Sequence, residues 1–281
     1  MTKLLSGKTA FVTGGSGGIG SASAKLLLQD GAEVLLMGRR IDALEATRAR
    51  LIDEVPGARI ALHAGDAGQQ ADVEAGLDKA VAMSGRLDIL VPTVGGGGFK
   101  PLLMHDADSF RAELDYNIIT AFLAVRYGVP RMKDGGTIVL ISSTAAIMPF
   151  PWLGAYCTAK GGLEQFLRTA ADELGSANVR INAIRPGMTK SDATGPMFDN
   201  PDVIQPFIDQ MPLGRAGMPD DIARGVRFLA GPESGWVTGQ SFAVDGGHEL
   251  RRNPDLTNVA RAIFGDAAID AVQQGREAPA A

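Results

Sequence analysis

A tyrosine and a lysine four residues apart, Tyr156 and Lys160, have the side-chain types needed to move a proton. In a helix this spacing places both side chains on one face. A tyrosine phenol titrates at roughly pH 10, and a neighbouring ammonium lowers its pKa by favouring the phenolate. Lowering the pKa by ~2–3 units requires about 3–4 kcal/mol of differential stabilisation. Such a phenol can supply or accept the proton that accompanies hydride transfer at a carbonyl or carbinol carbon, although the same spacing also occurs in surface pairs on helices.

A glycine-rich turn with the sequence TGGSGGIG occupies residues 13–20. It joins an apolar run at 8–14, typical of a buried strand, to a helix predicted from Gly18 to Asp30 and ended by Gly31. At such a junction the backbone N–H groups and the positive end of the helix dipole form an anion site. Glycines let a pyrophosphate approach closely, so the turn predicts a dinucleotide site, the alternative being a flexible loop.

The residues around the second predicted strand, EVLLMG at 33–38, indicate which dinucleotide binds. In the usual dinucleotide fold an acid near the carboxyl end of this strand holds the ribose 2′-hydroxyl. Glu33 instead lies at the start of the strand, whereas Arg39 and Arg40 follow its carboxyl end. A guanidinium binds phosphate through paired hydrogen bonds. The sequence therefore favours NADP(H) over NAD(H), and we expect at least one of the two arginines to be simply a solvated residue at the start of a helix.

Apolar strand-like runs alternate with stretches of helical periodicity along most of the chain. A repeated βαβ order requires right-handed crossovers and a mostly parallel sheet with helices on both faces. We therefore predict an α/β fold, a doubly wound parallel sheet of the Rossmann type with about seven strands in one domain over residues 1–248. The remaining predicted elements are strands at 58–64, 87–91, 136–142, 178–184 and 240–245, helices at 41–54, 70–83, 106–132, 155–174 and 219–230, and a loop at 186–217.

Residues 249–281 are predicted to be a C-terminal helical extension with a disordered end from Arg276. Apolar residues at helical spacing support a short amphipathic helix there, namely Leu256, Val259, Ala260, Ile263 and Phe264. The extension is expected to cover the chain's own active site or a neighbouring subunit, or to be a loosely held tail.

Composition and charge exclude several classes of protein. The 281 residues are 45% hydrophobic and 21% charged, as is typical of a globular protein with a large core. A net charge of −5 argues against a nucleic-acid-binding face, and no apolar run reaches the ~18 residues of a membrane helix. One cysteine, Cys157, and no secretory signal at the N-terminus predict a cytoplasmic protein. The three histidines are far apart in sequence, so no metal site is expected.

Four side chains and the glycine turn occur in an order that resembles the short-chain dehydrogenase/reductase (SDR) family, over about residues 6–248. By that resemblance, Ser143 in LISS orients the substrate oxygen and Tyr156 is the general acid/base. Lys160 binds the nicotinamide ribose and lowers the pKa of the tyrosine, which an oxidised nicotinamide lowers further. Asn117 in DYN is similar to an asparagine that holds a water of a proton relay. The predicted catalytic residues are Asn117, Ser143, Tyr156 and Lys160.

The same resemblance implies a cofactor site. Asp66 is similar to an acid that contacts the adenine, and Gly95 leaves room for the adenosine. The segment NAIRPG at 182–187 resembles one that closes over the nicotinamide, with hydroxyls nearby. The predicted cofactor-binding residues are Gly14, Ser16, Gly18, Ile19, Gly20, Arg39, Arg40, Asp66, Ala67, Val94, Gly95, Tyr156, Lys160, Pro186, Gly187, Thr189 and Ser191.

One segment departs from the family pattern. Where the family has Asn-Asn-Ala-Gly, this chain has PTVG at 92–95, followed by three more glycines. The missing asparagines normally tie neighbouring strands, so a different local rigidity is expected. We predict an NADP(H)-dependent oxidoreductase that interconverts a ketone or aldehyde and an alcohol. The alternatives are a non-catalytic NADP-binding regulator or scaffold, and an enoyl (C=C) reductase, a subgroup that usually spaces its tyrosine and lysine more widely.

Three segments, 94–100, 144–155 and 187–210, are expected to face the substrate. They carry apolar side chains that predict a mostly apolar small-molecule substrate, unless several of them only pack the loops: Phe99, Met148, Phe150, Trp152, Leu153, Met188, Met197 and Phe198. No nucleic acid and no membrane are expected as partners. The resemblance implies a homo-oligomer, a tetramer or dimer, assembled through the helices at 106–132 and 155–174.

Overall fold

Within residues 3–191 and 194–278, which a computed structural model of the chain describes, seven strands form one parallel sheet. They are β1 Thr9–Thr13, β2 Glu33–Gly38, β3 Ile60–Ala64, β4 Ile89–Pro92, β5 Gly136–Ile141, β6 Val179–Pro186 and β7 Ser241–Val244. Their order is β3-β2-β1-β4-β5-β6-β7, and each neighbouring pair is parallel. The order reverses between β1 and β4, which leaves a crevice at their carboxyl ends. The predicted doubly wound sheet is confirmed.

Helices pack on both faces of the sheet. They are α1 Gly18–Gln29, α2 Ile41–Glu54, α3 Gln70–Ser84, α4 Ala107–Leu114, α5 Thr120–Gly128, α6 Gly154–Leu174, α7 Gly195–Phe198, α8 Pro201–Asp209, α9 Pro219–Ala230, α10 Thr257–Phe264 and α11 Asp266–Gln273. Successive strand residues point to opposite faces, so Val12 packs with α1, α2 and α9, and Phe11 with α3, α5 and α6. Burial on both faces explains the continuous apolar runs. Across the described ranges, no helix has the length and apolar character to span a membrane.

The helix predicted over 106–132 is confirmed as a continuous helical stretch from Ala107 to Arg131, but a π-helical turn, Asp115–Ile119, interrupts its α-helical hydrogen bonding between α4 and α5. The side chain of Asn117 explains the interruption. Its Nδ2 donates a hydrogen bond of 2.9 Å to the carbonyl oxygen of Glu113, the acceptor that the backbone N–H of residue 117 uses in a regular α-helix. Turns of this kind often occur at functional sites.

The loop predicted over 186–217 contains two short helices, α7 and α8. Pro196 and Pro201 lie in the first turns of these helices, where a missing N–H costs no hydrogen bond. The Asn200 side chain caps α8 by accepting a hydrogen bond of 3.0 Å from the N–H of Asp202. Two of the prolines that suggested a loop therefore begin helices here, and a third, Pro206, lies inside α8.

The C-terminal extension packs against the chain's own body. The predicted helix corresponds to α10, and α11 follows it after Gly265. Leu256, Ala260 and Ile269 are buried. The N–H of Arg276 closes the end of α11 on the carbonyl of Ala271, at 2.8 Å. The last residues of the predicted disordered end, 279–281, lie outside the described residues.

Candidate active site

The glycine turn after β1 is shaped by two requirements of its backbone. Gly14 has a φ of +63°, in the left-handed region that favours glycine. A Cβ on Gly20 would overlap the carbonyl oxygen of Gly14, so the first turn of α1 needs glycine there. Among the described residues, no side chain caps the start of α1 and none in its first turn is acidic. The free N–H groups of this turn form a cradle that fits a diphosphate.

A cleft of about 710 Å³ opens from this cradle across the carboxyl ends of the first four strands. Twelve of the predicted cofactor residues line it: Gly14, Ser16, Gly18, Ile19, Gly20, Arg39, Arg40, Asp66, Ala67, Val94, Gly95 and Ser191. Thr93 and Tyr116 also line the cleft, although the sequence did not single them out. The Asp66 carboxylate is exposed and accepts a hydrogen bond of 2.9 Å from the N–H of Gly68.

The other five predicted cofactor residues lie outside this lining, and two of them, Tyr156 and Lys160, belong to the group described below. Pro186 ends β6, and Gly187 and Thr189 follow it. Thr189 is buried, and its hydroxyl donates to the carbonyl oxygen of Gly187 at 2.9 Å. The contacts predicted for these residues with the nicotinamide stay predictions.

Thr93 ties together the segment that departs from the family pattern. Its hydroxyl donates to the carbonyl oxygen of Thr13 at 2.7 Å, and its N–H donates to the Thr13 hydroxyl at 3.3 Å. These bonds join the ends of β1 and β4, which is the role that the resemblance gives to the family's asparagines.

Ser143, Tyr156 and Lys160 come together beyond Gly95. Ser143 follows β5, and the other two residues lie in the first two turns of α6. Lys160 is 3% exposed, and its Nζ donates to the carbonyl oxygen of Ile141 at 2.9 Å. The same Nζ lies 5.8 Å from the centre of the Tyr156 ring. The sequence spacing thus becomes a compact group at the carboxyl edge of the sheet.

Burial governs the titration of this pair. It raises the pKa of the Tyr156 phenol, although the Ser143 hydroxyl acts in the opposite direction. In the protein alone, the cost of removing the phenolate from water outweighs the effect of the neighbouring groups on the pKa of Tyr156. The lowering of this pKa by Lys160 that the resemblance implies stays a prediction. Burial also lowers the pKa of Lys160 to about 8, against the opposing charge of Glu113. At neutral pH the phenol carries its proton and the lysine is mostly an ammonium.

The glycine run 95–98 and Asn117 close one side of the group. Asn117 is buried, its Oδ1 accepts from the N–H of Gly96 at 3.0 Å, and its Nδ2 donates to the Gly96 carbonyl at 2.9 Å. A Cβ on Gly95 would lie 2.8 Å from Asn117 Oδ1 and 3.0 Å from Lys160 Nζ. Glycine at position 95 therefore lets both polar groups approach the backbone. The water-holding role of Asn117 stays a prediction.

Gly97 lies against the ring of Tyr156. A Cβ on Gly97 would be 2.8 Å from Tyr156 Cγ, so we expect Gly97→Ala to displace the ring or the run and to lower kcat/KM by about 10- to 100-fold. The measurement is steady-state kinetics, with thermal unfolding to check the fold. Gly96→Ala is the matched control, because its Cβ would meet Tyr116 at an ordinary 3.6 Å. Equal kinetics for the two variants would contradict this geometry.

Within residues 3–191 and 194–278, no three His, Cys, Asp or Glu side chains are grouped closely enough to hold a metal ion.

Comparisons with known proteins agree with this geometry. A family model described as enoyl-(acyl carrier protein) reductase matches residues 14–249. A short-chain type dehydrogenase/reductase from Mycobacterium ulcerans superposes with a TM-score of 0.90 at 31% identity, over 96% of this chain and 99% of that one. The chain belongs to the short-chain dehydrogenase/reductase family. It is therefore an oxidoreductase of a family that binds NAD(H) or NADP(H).

Two further relatives are named hydroxysteroid dehydrogenases. The 3alpha-hydroxysteroid dehydrogenase of Mediterraneibacter gnavus is 33% identical over 248 residues, 88% of this chain and 98% of that protein. A structure of 7alpha-hydroxysteroid dehydrogenase complexed with NADH and 7-oxo glycochenodeoxycholic acid has a TM-score of 0.84 at 30% identity, covering 91% of this chain and 98% of that one.

Proposed function

We propose that this SDR member is an NADP(H)-dependent enzyme that interconverts a ketone or aldehyde and an alcohol. The observation that carries the proposal is the meeting of Ser143, Tyr156 and Lys160, where Lys160 lies beside Gly95. Gly95 lines the cleft that begins in the glycine cradle. When bound, the reduced nicotinamide supplies the hydride.

The chain's own residues supply the proton and the orientation. Ser143 holds the substrate oxygen by a hydrogen bond, and Tyr156 donates its phenolic proton to that oxygen as negative charge develops there. Burial favours the protonated phenol at neutral pH, which suits reduction. Lys160 binds the nicotinamide ribose, and its ammonium stabilises the phenolate that proton donation leaves behind. In the oxidation of an alcohol the same groups act in reverse.

The test is NADPH consumption by the purified protein with a panel of apolar ketones. We expect NADPH loss coupled to formation of the alcohol. Tight NADPH binding without turnover on any member of a wide panel would favour the regulator or scaffold. Turnover confined to α,β-unsaturated substrates would favour the enoyl reductase, the activity in the description of the matching family model.

The preference for NADP(H) is supported by charge at the end of β2. Arg39 and Arg40 are exposed, line the cleft, and form no ion pair with any residue of the described ranges. Glu33, at the other end of β2, pairs with Arg59. A 2′-phosphate at this end of the strand would meet two guanidinium groups and no carboxylate from the strand.

We expect Arg39→Asp to weaken NADPH binding by about 10- to 100-fold, or ~1.4–2.7 kcal/mol, and NADH binding by less than about threefold. The added carboxylate repels the 2′-phosphate and has no such group to repel in NADH. Titration calorimetry with both cofactors measures the two changes. Arg40→Asp is the companion variant that shows which arginine contacts the phosphate. An equal loss of affinity for NADPH and for NADH in Arg39→Asp would show that Arg39 does not contact the 2′-phosphate.

An apolar substrate is supported by the surroundings of the active site. Phe99, after the glycine run, stacks on Phe264 of α10 with ring centres 6.4 Å apart. Phe150 meets Phe207 of α8 edge-on at 5.5 Å. Met148 is 8% exposed, which favours the packing alternative for this residue. Phe99 thus lies against the C-terminal extension and Phe150 against α8, and the first contact supports the extension as a wall of the chain's own site.

A further inference from the structure

We infer that Glu113 is a positioning residue for the Tyr156–Lys160 pair, and that its carboxylate is the counter-charge that keeps Lys160 protonated in its buried site. The inference rests on the proposed function and adds a residue to its machinery.

The carboxylate of Glu113 is fixed on the outer side of the glycine run. Glu113 is half-buried in the last turn of α4, four residues before Asn117. Its Oε1 and Oε2 accept from the N–H of Gly98 at 3.2 and 3.3 Å, and its Oε1 lies 3.4 Å from Asn117 Nδ2. The inner side of the same run contacts the catalytic pair, through Gly95 at Lys160 and Gly97 at Tyr156. Gly95 and Asn117 therefore link the two groups, because Asn117 lies beside both the Glu113 carboxylate and Gly95, and Gly95 lies beside the Lys160 ammonium.

Lys160 needs such a counter-charge. Its Nζ bonds to the neutral carbonyl of Ile141, and no carboxylate of the described residues lies within ion-pair distance of it. A buried ammonium without a nearby negative charge tends to lose its proton. Glu113 is the charged group that acts on both members of the pair, raising the pKa of Lys160 and of Tyr156.

The other titratable groups near the Tyr156–Lys160 pair do not act on both of its members as Glu113 does. Cys157 is next to Tyr156 in α6 and also raises the pKa of that phenol. His105, which precedes α4, has a pKa lowered mainly by burial and further by Lys100, against the opposing charges of Glu113 and Asp106. Of this set, Glu113 is the one that acts on Lys160.

Removing the charge of Glu113 is expected to lower the pKa of both Lys160 and Tyr156. Without Glu113, Lys160 and Tyr156 both release their protons at lower pH, and reduction requires both protons to be present. The alkaline limb of the pH profile for kcat/KM in reduction is therefore expected to move down by about one pH unit in Glu113→Gln. Glutamine keeps an oxygen that can accept from Gly98, so a role limited to anchoring the run leaves this limb in place.

The experiment combines two readouts. The first is the pH dependence of kcat/KM with NADPH and a ketone. The second is the absorbance titration of the Tyr156 phenolate in cofactor-free protein, isolated by subtracting the matching Tyr156→Phe variant. Asp108→Asn is the control, because it removes a carboxylate that is 93% exposed on the same helix. Glu113→Asp keeps the charge and is expected to retain most of the wild-type profile.

Downward shifts of about one unit in both readouts for Glu113→Gln, with wild-type behaviour in Asp108→Asn, are the expected result. A Glu113→Gln protein with both titrations at wild-type pH, or an equal shift in Asp108→Asn, would overturn the inference. If no ketone is reduced, the proposed function fails, and the phenolate titration alone decides the role of Glu113.

Discussion

Replacing Tyr156 by phenylalanine is expected to lower kcat/KM for ketone reduction by about 10³-fold while leaving NADPH affinity within about twofold of wild type. Phenylalanine keeps the ring that packs against Gly97 and under Lys160, and removes the hydroxyl that carries the proton. Steady-state kinetics at saturating NADPH and a separate NADPH titration measure the two quantities.

Tyr127→Phe is the matched control, because this tyrosine lies in α5 outside the cleft, with its ring beside Arg126. Its kinetics are expected to stay within about twofold of wild type. If Tyr156→Phe retained more than about a tenth of wild-type kcat/KM, another group would be the proton donor.

Gly20→Ala is expected to weaken NADPH binding by about 100-fold, or ~2.7 kcal/mol. The added methyl would overlap the carbonyl oxygen of Gly14, and because this oxygen belongs to the backbone of the same turn, the turn must open. Opening moves the N–H groups of α1 away from the diphosphate. Titration calorimetry with NADPH gives the affinity, and circular dichroism and the Tm show whether the sheet is still folded.

The control for this change is Gly175→Ala. Gly175 has helical φ and ψ, and a Cβ there would meet no atom within 4 Å. We expect wild-type affinity and an unchanged or slightly higher Tm for the control. NADPH affinity within about threefold of wild type in a folded Gly20→Ala protein would show that the turn does not hold the diphosphate.

The sheet and the cofactor cradle were predictable because their signals are local. The runs KTAFVTG and EVLLMG are short, rich in apolar residues on both faces and bounded by glycines, which is typical of a buried parallel strand, and they correspond to β1 and β2. The glycine turn between β1 and α1 was predicted for the same reason, since its conformation depends on residues within it. Tyr156 and Lys160 share a face because α6 is regular.

The features of the site that the sequence did not predict depend on contacts between segments far apart in sequence. The π turn at 115–119 forms because Asn117 bonds both to Glu113 and to Gly96, which lies 21 residues earlier. The raised pKa of Tyr156 is a consequence of burial beneath the glycine run, and no residue type signals burial depth by itself. The closeness of Gly97 to Tyr156 likewise appears only when β4 and α6 have come together.

Transfer of deuterium from NADPH labelled at nicotinamide C4 to an apolar ketone tests the central claim most directly. The product is analysed by mass spectrometry, with label on each face of the ring tested in turn. We expect one deuterium on the carbinol carbon of the alcohol from one of the two labelled cofactors, and a trace at most with Tyr156→Phe. Deuterium on a carbon of a former C=C bond, or equal transfer by Tyr156→Phe, would contradict the account.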